Sequence, residues 1–467
     1  MMKQLFNSIL LLAGLLFSFA ANAYDFQAGG IYYNINTGGV SVTVTTGDNS
    51  FRYSGDITIP ATVSNDGKTY NVTAIAYQAF YKCSELESIT LGSKIKTIGD
   101  NAFRYCTALK AVAIPNSTET MGSYAFSGCT NLKTITIGTG LKAIPENAFS
   151  GTLVNNVTIP GNVETIGAAA FSGCDHLTQL NIQEGVVNIN SYAFSECSTL
   201  TAVVIPNTVK TIGYEAFYKC YELEELILGS KVKTIGDNAF RYCTALKAVA
   251  IPNSTETMGS YAFSGCTNLK TITIGTGLKA IPENAFSGTL VNNVTIPGNV
   301  ETIGTAAFSG CAHLTQLNIQ EGVININSYA FSECSTLPVV MIPNTVKTIG
   351  YEAFYKCYEL EELTLGSLVK TIGDNAFRYC NELKTITSCN EIAPKMDSEN
   401  CFSVYQTAKL YIPIGASASY QSTNYWHKFT DIHETNTGNK PKEGDVNHDG
   451  EVNIADINYI IKIILNN

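Results

Sequence analysis

Residues 232–243 read VKTIGDNAFRYC and contain the pattern that decides the fold of this 467-residue chain. The Ala-Phe pair within this stretch recurs along the chain, and successive copies are nearly always about 23 residues apart. A fixed period of roughly 20 to 50 residues is typical of solenoids and other repeat arrays. The pattern therefore predicts a stack of similar coils rather than three separate domains of about 150 residues each.

Fourteen copies of the pair occupy the middle of the chain. Two of the steps are one residue shorter, and a longer period of six coils overlies the short one, since Phe80, Phe217 and Phe354 are equally spaced. Residues 96–167 are identical to residues 233–304, so a block of six coils has been duplicated. The repeated phenylalanines are Phe80, Phe103, Phe126, Phe149, Phe171, Phe194, Phe217, Phe240, Phe263, Phe286, Phe308, Phe331, Phe354 and Phe377. We therefore expect a repeat solenoid of about fourteen coils, each of about 22–23 residues.

Each coil is expected to contain a longer strand, a shorter strand and a turn. In residues 132–137, isoleucine alternates with threonine, which predicts a strand with one buried face. A Pro or Gly ends this strand, and residues 232–236 form a second short extended piece whose glycine allows a sharp corner. Residues 237–243 are predicted to form one helical or 3₁₀ turn capped by Asp237. The coil is therefore β-rich, and its Leu, Ile, Val, Ala, Phe and Cys positions point inward.

The composition agrees with a core that runs through the whole stack. Apolar residues make up 45% of the chain and charged residues 15%, too few charges for a disordered or coiled-coil chain. One coil is not stable alone, because the conformational entropy lost on ordering it costs about as much free energy as burying its apolar side chains gains. Stacking makes the array stable because each coil then buries its apolar faces against two neighbouring coils. The net charge of −10 argues against a nucleic-acid partner, which requires a basic face.

Twelve of the fourteen cysteines occupy one repeat position, the third after the phenylalanine. A position that recurs once per coil is interpreted as a packing position, since a free cysteine packs as a small buried apolar residue. A disulfide ladder or a metal site is the alternative, but side chains stacked in parallel coils rarely have the geometry of a disulfide. Cys389 and Cys401 lie outside the repeat. A disulfide between these two residues is one alternative, and two free cysteines are the other.

Residues 1–23 have the features of a secretory signal peptide. Lys3 supplies a positive charge, residues 9–17 a short apolar stretch, and residues 21–23 the small side chains of a cleavage site. The apolar stretch is shorter than the roughly 18 residues of a spanning helix, so a membrane anchor is the less favoured alternative, and no later stretch predicts a transmembrane segment. We expect the mature chain to begin at Tyr24 and to be secreted or held at the cell surface.

Flanking segments are expected to close the stack, because the open core at each end of a solenoid needs a cap. A hairpin turn is predicted at residues 65–68, and Trp426, Phe429 and Ile432 are expected to cover the last coil. The predicted segments after the signal peptide are an N-terminal β cap at 24–72, the solenoid at 73–388, a C-terminal cap at 389–434, a polar linker at 435–444 and a small C-terminal segment at 445–467.

The repeated pattern V-x-x-I-G-x-x-A-F-x-x-C-x-x-L-x-x-I-x-I-P resembles that of the BspA-like leucine-rich repeat proteins of bacterial surfaces, over about residues 57–415. Residues 25–26 and 30–33 and the late Trp426 also resemble the flanks of that family. The resemblance implies a secreted or surface-exposed, leucine-rich-repeat-like solenoid. Some members of the family are adhesins that bind host matrix and plasma proteins or other bacteria. The resemblance assigns no binding residue to this chain.

A calcium-binding loop is predicted near the C-terminus. If Asp445 is loop position 1, oxygen ligands fall at positions 1, 3, 5, 7, 9 and 12 and Gly450 occupies the turn, which suits Ca²⁺. The expected ligands are Asp445, Asn447, Asp449, Glu451 through its backbone carbonyl, Asn453 and Asp456. The isoleucines that begin at Ile454 then predict the apolar face of a helix. The alternative is a polar turn before a helix without bound metal.

The loop and the helix after it form an EF-hand-like segment that resembles half of a type I dockerin. Asp456 stands at the last ligand position, where an EF-hand has Glu, and no helix precedes the loop. The resemblance implies a cohesin-like partner bound through this tail. A dockerin has two such segments, and residues 445–467 hold one. Three alternatives to cohesin binding are therefore open: the segment docks on the solenoid, it pairs with a second copy of the chain, or it is a remnant without function.

Residue patterns typical of enzymes are missing from the sequence. It contains no H-E-x-x-H, no G-x-S-x-G and no phosphate-binding loop. Paired carboxylates such as Glu224 and Glu225 are interpreted as solvated strand positions rather than glycosidase residues. The outward strand positions are mostly small and polar, for example Thr178, Gln179 and Asn181, and they form a flat surface for protein or glycan ligands.

We therefore expect a non-enzymatic, adhesin-like binding protein whose solenoid face binds proteins or glycans on host or bacterial surfaces. The alternative is a structural or scaffold subunit of an extracellular assembly, recruited through the calcium-dependent tail. The 25 tyrosines, many of them close to a repeated phenylalanine, are interpreted mainly as cover for the turns. A tyrosine-rich binding surface is the second interpretation, because tyrosine is favoured at protein interfaces.

Overall fold

The computed structural model describes residues 24–47 and 52–436. The chain is a β-solenoid of about sixteen turns with few helices. It divides into two compact units, Met1–Thr152 and Leu153–Asn467. The predicted signal peptide, the calcium loop and most of the predicted linker lie outside the described residues, so these expectations stay predictions.

The first unit opens with six strands. They are β1 (Phe26–Ala28), β2 (Ile31–Ile35), β3 (Ser41–Thr45), β4 (Gly55–Thr58), β5 (Thr62–Asn65) and β6 (Lys68–Ile75). β1, β2 and β3 pair antiparallel in that order, and β6 joins β3 in parallel. β5 and β6 pair antiparallel from Asn65 and Lys68 onward, which confirms the hairpin turn predicted there.

The coils of the first unit alternate a longer and a shorter strand. These strands are β7 (Leu86–Thr90), β8 (Thr97–Ile98), β9 (Ala111–Ala113), β10 (Thr120–Met121), β11 (Thr134–Thr136) and β12 (Ala143–Ile144). The shorter strands β8 and β10 extend the sheet from β6 in parallel, and the longer strands pair as β4 with β7 and β9 with β11. Partners in register occupy the same place in successive coils, as Ile57 and Ile89 do.

The second unit continues the same alternation. Its strands are β13 (Asn156–Ile159), β14 (Thr165–Ile166), β15 (Gln179–Ile182), β16 (Asn188–Ile189), β17 (Ala202–Val204), β18 (Thr211–Ile212), β19 (Glu225–Ile227), β20 (Thr234–Ile235), β21 (Ala248–Ala250), β22 (Thr257–Met258), β23 (Thr271–Thr273), β24 (Ala280–Ile281), β25 (Asn293–Ile296), β26 (Thr302–Ile303), β27 (Gln316–Ile319), β28 (Asn325–Ile326), β29 (Val339–Met341), β30 (Thr348–Ile349), β31 (Glu362–Leu365), β32 (Thr371–Ile372), β33 (Thr385–Ser388), β34 (Lys395–Met396), β35 (Lys409–Pro413) and β36 (Asp431–Thr435). One helix, α1 (Ser417–Ser422), and two 3₁₀ turns, Glu399–Cys401 and Trp426–Lys428, lie near its end.

Two sets of parallel ladders run along the second unit. The shorter, even-numbered strands pair from β14 to β22 and from β24 to β34. The longer strands pair as β13 with β15, then from β17 to β27, and then from β29 through β35 to β36. The ladder of longer strands is therefore interrupted twice in this unit, once after β15 and once after β27.

The predicted number of coils is too low. The sequence predicts fourteen coils from the Ala-Phe pairs, and the structure has about sixteen turns. The additional turns include β4, which pairs in parallel with β7, and β35, which pairs in parallel with β33. Neither strand belongs to a coil with an Ala-Phe pair. The number of Ala-Phe pairs therefore does not include these two coils.

Residues 237–243 form successive turns rather than the predicted helical or 3₁₀ turn. Asn238 and Tyr242 adopt left-handed φ angles of 55° and 62°, which a helix does not contain. Phe240 donates its N–H to the carbonyl of Ala262 in the next coil at 2.8 Å, whereas Cys243 donates to the carbonyl of Phe240 at 3.2 Å. Because alternate N–H groups bond to the next coil, the turns form a third ladder between coils instead of a helix.

Asp237 does not cap its own turn. Its Oδ1 accepts a hydrogen bond at 2.7 Å from the N–H of Ser260 in the next coil. In the first unit, Asp100 accepts in the same way from the N–H of Ser123, also at 2.7 Å. The expected N-cap is therefore wrong for this position, and the aspartate instead connects successive coils.

The repeated phenylalanines form the centre of the core. Phe240 is completely buried, and its ring lies 5.3 Å from that of Phe217 and 5.2 Å from that of Phe263. The planes of these neighbouring rings differ by 4° and 6°, so the rings stack in parallel. Stacked aromatic pairs contribute beyond the area that they bury. The one-per-coil period of the sequence thus becomes a continuous column of rings within the second unit.

All fourteen cysteines are free. The twelve repeat cysteines are buried, and Cys266, for example, donates its S–H to the carbonyl of Phe240 at 3.2 Å. Burial raises the pKa of the Cys266 thiol to about 12, which keeps it in the unreactive thiol form. The interpretation of the repeat cysteines as packing residues is therefore confirmed. Cys389 and Cys401 do not form a disulfide with each other.

The C-terminal end of the core is covered by aromatic side chains. Trp426 is completely buried, its indole N–H donates to the carbonyl of Pro394 at 2.7 Å, and its ring lies 5.9 Å from Phe402. Phe429 is also buried, 5.5 Å from the ring of Phe402. Ile432 is half-buried. The prediction that Trp426 and Phe429 close the last coil is therefore confirmed.

Candidate functional site on the strand face

The predicted calcium ligands from Asp445 to Asp456 lie outside the described residues, so the calcium loop stays a prediction. Within residues 24–47 and 52–436, no group of three or more His, Cys, Asp and Glu side chains is placed to hold a metal ion. The same part of the chain contains no helix that is long and apolar enough to cross a membrane.

The outward side chains of the longer strands in the second unit form one surface, which we call the strand face. In β23, for example, Thr271 and Thr273 are exposed on either side of the buried Ile272. The strands pair in register, so equivalent outward residues of successive coils lie side by side, as Ala248 and Thr271 do. Backbone hydrogen bonds join the longer strands of successive coils and also join the shorter strands. The outward side chains therefore extend from a rigid backbone.

Charged residues directly before the longer strands are solvated, as the sequence predicts. Glu224 and Lys247 form an ion pair at 2.5 Å across adjacent coils, and Glu361 and Lys384 form the equivalent pair at 2.8 Å. The hydrogen bond to Glu224 raises the pKa of Lys247 above its ordinary value, which favours the charged ammonium. Both partners of each pair are largely exposed, so water and salt screen the pairs and they add little stability.

An apolar strip interrupts the polar strand face. Val204 and Ile227 are direct partners in the pairing of β17 with β19, and their exposed fractions are 56% and 60%. Ala202, Ala248 and Ala250 are exposed beside them on β17 and β21. At the same outward positions, most other coils of this unit carry threonine or asparagine. We call these five residues the apolar strip. The sequence predicts a mostly polar surface on this face and does not predict the strip.

The duplicated block contains a signal that could have identified the strip from sequence. The two copies, six coils apart, are almost identical, yet they differ at four neighbouring places on the strand face. The pairs that differ are Thr201 and Pro338, Ala202 and Val339, Val204 and Met341, and Ile227 and Thr364. Two of these differences replace one outward apolar residue by another, and Met341 is 38% exposed. An apolar character is therefore kept at the places of Ala202 and Val204, whereas the place of Ile227 carries the polar Thr364 in the second block.

The tyrosines near the turns are arranged as cover rather than as an open binding surface. The guanidinium of Arg241 lies 4.8 Å from the ring centres of both Tyr242 and Tyr261. In the first unit, Arg104 has the same place next to Tyr105, at 4.8 Å. Arginine held over aromatic faces stabilises a surface layer through cation–π contacts. The observed contacts agree with the favoured interpretation that these tyrosines cover the turns.

The histidines at the same position of the two blocks are exposed. His176 lies 2.8 Å from the carboxylate of Asp175, while in the second block the residue before His313 is Ala312. A catalytic pair needs a second acid, base or nucleophile within hydrogen-bond reach. The described residues around His313 bring no such partner to it, so the shared histidine position does not form a repeated catalytic group.

The comparison with known families agrees with this geometry. The family model described as BspA type leucine rich repeat region matches residues 45–178, 164–291 and 279–409. These matches together cover well over half of the chain. This chain belongs to the BspA-type leucine-rich repeat family. The repeat resemblance seen in the sequence is thereby confirmed, whereas the resemblance to a dockerin is carried by residues outside the described part.

Solved structures of bacterial leucine-rich repeat proteins are similar to the chain. One from Bacteroides ovatus has 28% sequence identity and a TM-score of 0.66, and the match covers 88% of this chain and 100% of that one. A leucine-rich cell surface protein from Faecalibacterium prausnitzii has 26% identity and a TM-score of 0.40, with 78% and 94% of the two chains covered. The first of these supports the fold described above. No curated protein matches this chain.

Proposed function

We propose that this chain is a secreted or cell-surface binding protein without catalytic activity, and that the strand face of its second unit holds a protein ligand. The observation that carries the proposal is the apolar strip, where Val204 and Ile227 are more than half exposed. Exposed apolar side chains that lie together on a rigid support are typical of interaction sites. Family membership and the predicted signal peptide, residues 1–23, support the location outside the cytoplasm.

The setting of the strip agrees with a protein ligand. Apolar anchors at the centre of an interface and polar residues around them are the usual arrangement in protein complexes. The exposed Glu225 lies between its strand partners Ala202 and Ala248, and the ion pair of Glu224 with Lys247 lies next to it, so polar groups adjoin Val204 and Ile227. Because backbone ladders already order β17, β19 and β21, binding does not require the chain to become ordered, which lowers its entropic cost.

The absence of an enzymatic role is part of the same proposal. The sequence holds no nucleophile motif, and in the two nearly identical blocks any catalytic group would occur twice. Catalytic sites also need titratable groups brought together in a cleft. Charged groups next to the strand face are instead exposed, and some are paired between coils, as Glu361 is with Lys384.

Replacing Val204 by Asn and Ile227 by Thr is expected to weaken cell or protein binding by at least about tenfold without lowering the melting temperature. Other coils carry these residues at the same positions, as Asn181 and Thr364 show, so the fold tolerates them. The loss arises because truncated apolar anchors at an interface centre usually cost more than about 1 kcal/mol of binding free energy. The measurement is flow cytometry of host epithelial and bacterial cells with the labelled mature chain.

A matched control introduces the same residue types elsewhere on the face. Thr271→Asn with Asn293→Thr exchanges the residues of two strands that pair at these positions. This variant is expected to bind like the unchanged protein. If both double variants bind cells as well as the unchanged protein does, the strip is not the binding surface and the proposal fails.

A second candidate function is recruitment into an extracellular assembly through the C-terminal tail. It is favoured by the regular oxygen-ligand spacing from Asp445 to Asp456 with Gly450 at the turn. In this proposal Ca²⁺ orders the tail, and a cohesin-like protein or another partner binds it. The apolar strip and the tail consist of different residues, so both functions are compatible with one chain.

Calorimetric titration of the mature chain with Ca²⁺ is expected to show one bound ion. Asp445→Ala with Asp449→Ala removes two charged oxygen ligands and is expected to abolish the signal, because Ca²⁺ affinity depends on ligand charge and number. Glu443→Ala serves as the control, since this carboxylate lies just outside the loop. An unchanged titration in the double variant, or no heat with the unchanged protein, would show that the loop does not bind calcium.

A further inference from the structure

The two interruptions of the long-strand ladder are equivalent places in the duplicated blocks. In most coils of the second unit, the residue before the longer strand donates its N–H to the preceding coil, as Glu224 does to the carbonyl of Thr201 at 2.9 Å. Among the described residues, Thr201 itself makes no such bond to the coil before it. Its counterpart Pro338 has no N–H and is unable to make one. The open ladder is therefore a feature of both blocks, and in the second block Pro338 removes one of the N–H groups that would close it.

A shallow depression of about 280 Å³ lies at the first interruption. Its lining residues are Asn156, Val157, Thr158, Thr178, Gln179, Leu180, Asn181, Thr201 and Ala202. Leu180 is half-buried there, although the equivalent residues of the two flanking coils, Val157 and Val203, are buried. The opening between β15 and β17 thus exposes part of one core side chain at the bottom of a polar depression.

The carboxamides of this depression are available to a ligand. Asn156 is the direct partner of Gln179 in the pairing of β13 with β15, and Asn181 follows on the same side of β15. Within the part of the chain that the structure describes, these three side chains have no hydrogen-bond partner, while the nearby Gln183 accepts from the N–H of Gly161 at 3.1 Å. Each free carboxamide offers both donors and an acceptor.

From this donor set we propose that the depression is a subsite for a neutral oligosaccharide. None of its nine lining residues is ionisable, so an anionic or cationic ligand finds no opposite charge there. Paired donors and acceptors match the adjacent hydroxyl groups of a sugar ring, and the exposed part of Leu180 offers an apolar contact to the ring's C–H face. The inference rests on the proposed use of the strand face for binding, but it assigns a different ligand to a neighbouring part of that face, which shares Ala202 with the apolar strip.

The second block repeats the donor set. Gln316 and Asn318 occupy the places of Gln179 and Asn181, and Leu317 is half-buried as Leu180 is. The two places are six coils apart, and at a strand spacing of about 4.8 Å this corresponds to about 29 Å. Two subsites with the same carboxamide donors at a fixed separation suit a repetitive glycan chain, because binding at one site raises the effective concentration at the other.

Binding of the full mature chain to immobilised neutral oligosaccharides of two to six hexose or N-acetylhexosamine rings tests the inference. Sialylated and sulfated oligosaccharides and extended peptides serve as comparators. We expect the neutral sugars to bind with two sites per chain by calorimetry. Gln179→Ala with Asn181→Ala is expected to leave one site, and adding Gln316→Ala with Asn318→Ala is expected to weaken binding at least tenfold.

Control variants separate this inference from the proposed protein-binding function. Thr271→Ala with Thr273→Ala changes outward residues of a strand with an unbroken ladder and should leave sugar binding unchanged. Val204→Asn with Ile227→Thr should also retain sugar binding even where it loses cell binding. The inference is overturned if no neutral oligosaccharide binds, if anionic sugars or extended peptides bind better, or if the fourfold variant binds as the unchanged protein does.

Discussion

Replacing Gly322 by alanine is expected to destabilise the second unit by at least about 3 kcal/mol, or to prevent its folding. Gly322 has a φ of 122°, and a Cβ at this position would lie 1.9 Å from the carbonyl oxygen of Gly298. An L-residue rarely adopts this φ, and the clash is with backbone rather than with a flexible side chain. The free energy of unfolding in guanidinium chloride, followed by circular dichroism, measures the loss.

A second glycine distinguishes the close contact from the cost of left-handed backbone alone. Gly288 has a φ of 70°, and a Cβ there meets no atom within 4 Å. Gly288→Ala is expected to cost only about 1–2 kcal/mol, the usual penalty for a left-handed L-residue. Equal losses for the two variants would mean that the contact with Gly298 is relieved by a small backbone shift.

The second large effect is expected for Phe240→Ala in the middle of the ring column. Phe240 is completely buried between Phe217 and Phe263, and removing such a side chain from a well-packed core costs about 3–5 kcal/mol. In a solenoid each coil contacts only its neighbours, so the cavity weakens two interfaces at once. We expect early local unfolding around this coil, measurable by hydrogen exchange as well as by chemical denaturation.

An exposed aromatic residue in the same coil region provides the control. Tyr221 is 44% exposed, and Tyr221→Ala is expected to change the free energy of unfolding by less than about 1 kcal/mol, because surface substitutions rarely cost more. If Phe240→Ala were no more destabilising than Tyr221→Ala, the stacked phenylalanines would not be the main source of cohesion between coils.

Much of the core could be predicted because it depends on a period. The inward place of Phe240, Cys243 and their equivalents follows from recurrence once per coil, and these residues are indeed buried. Stacking identical coils gives each inward position the same surroundings, so one interpretation applies to all copies. The aromatic closure by Trp426 was predictable for the same reason, since an open core end requires cover.

The turns were predicted wrongly because their structure depends on the next coil. A single-coil reading of residues 237–243 suggests a helical turn with Asp237 as its cap. In the structure, alternate N–H groups and the Asp237 carboxylate bond to the following coil instead. Hydrogen bonds between coils therefore outweigh the local preference of these residues for a helical turn. The sequence of a single repeat does not show such bonds.

By itself, the sequence determined the repeat, its period, the buried residue of each coil and the membership in a repeat family, because these depend on recurrence alone. Tertiary structure decided which outward residues form a site. The exposure of Val204 and Ile227, the opening above Leu180 and the free carboxamide of Gln179 depend on how adjacent strands pair. The longer strands of adjacent coils can pair or remain unpaired with little change in their amino-acid composition. Only the tertiary structure shows which of them remain unpaired.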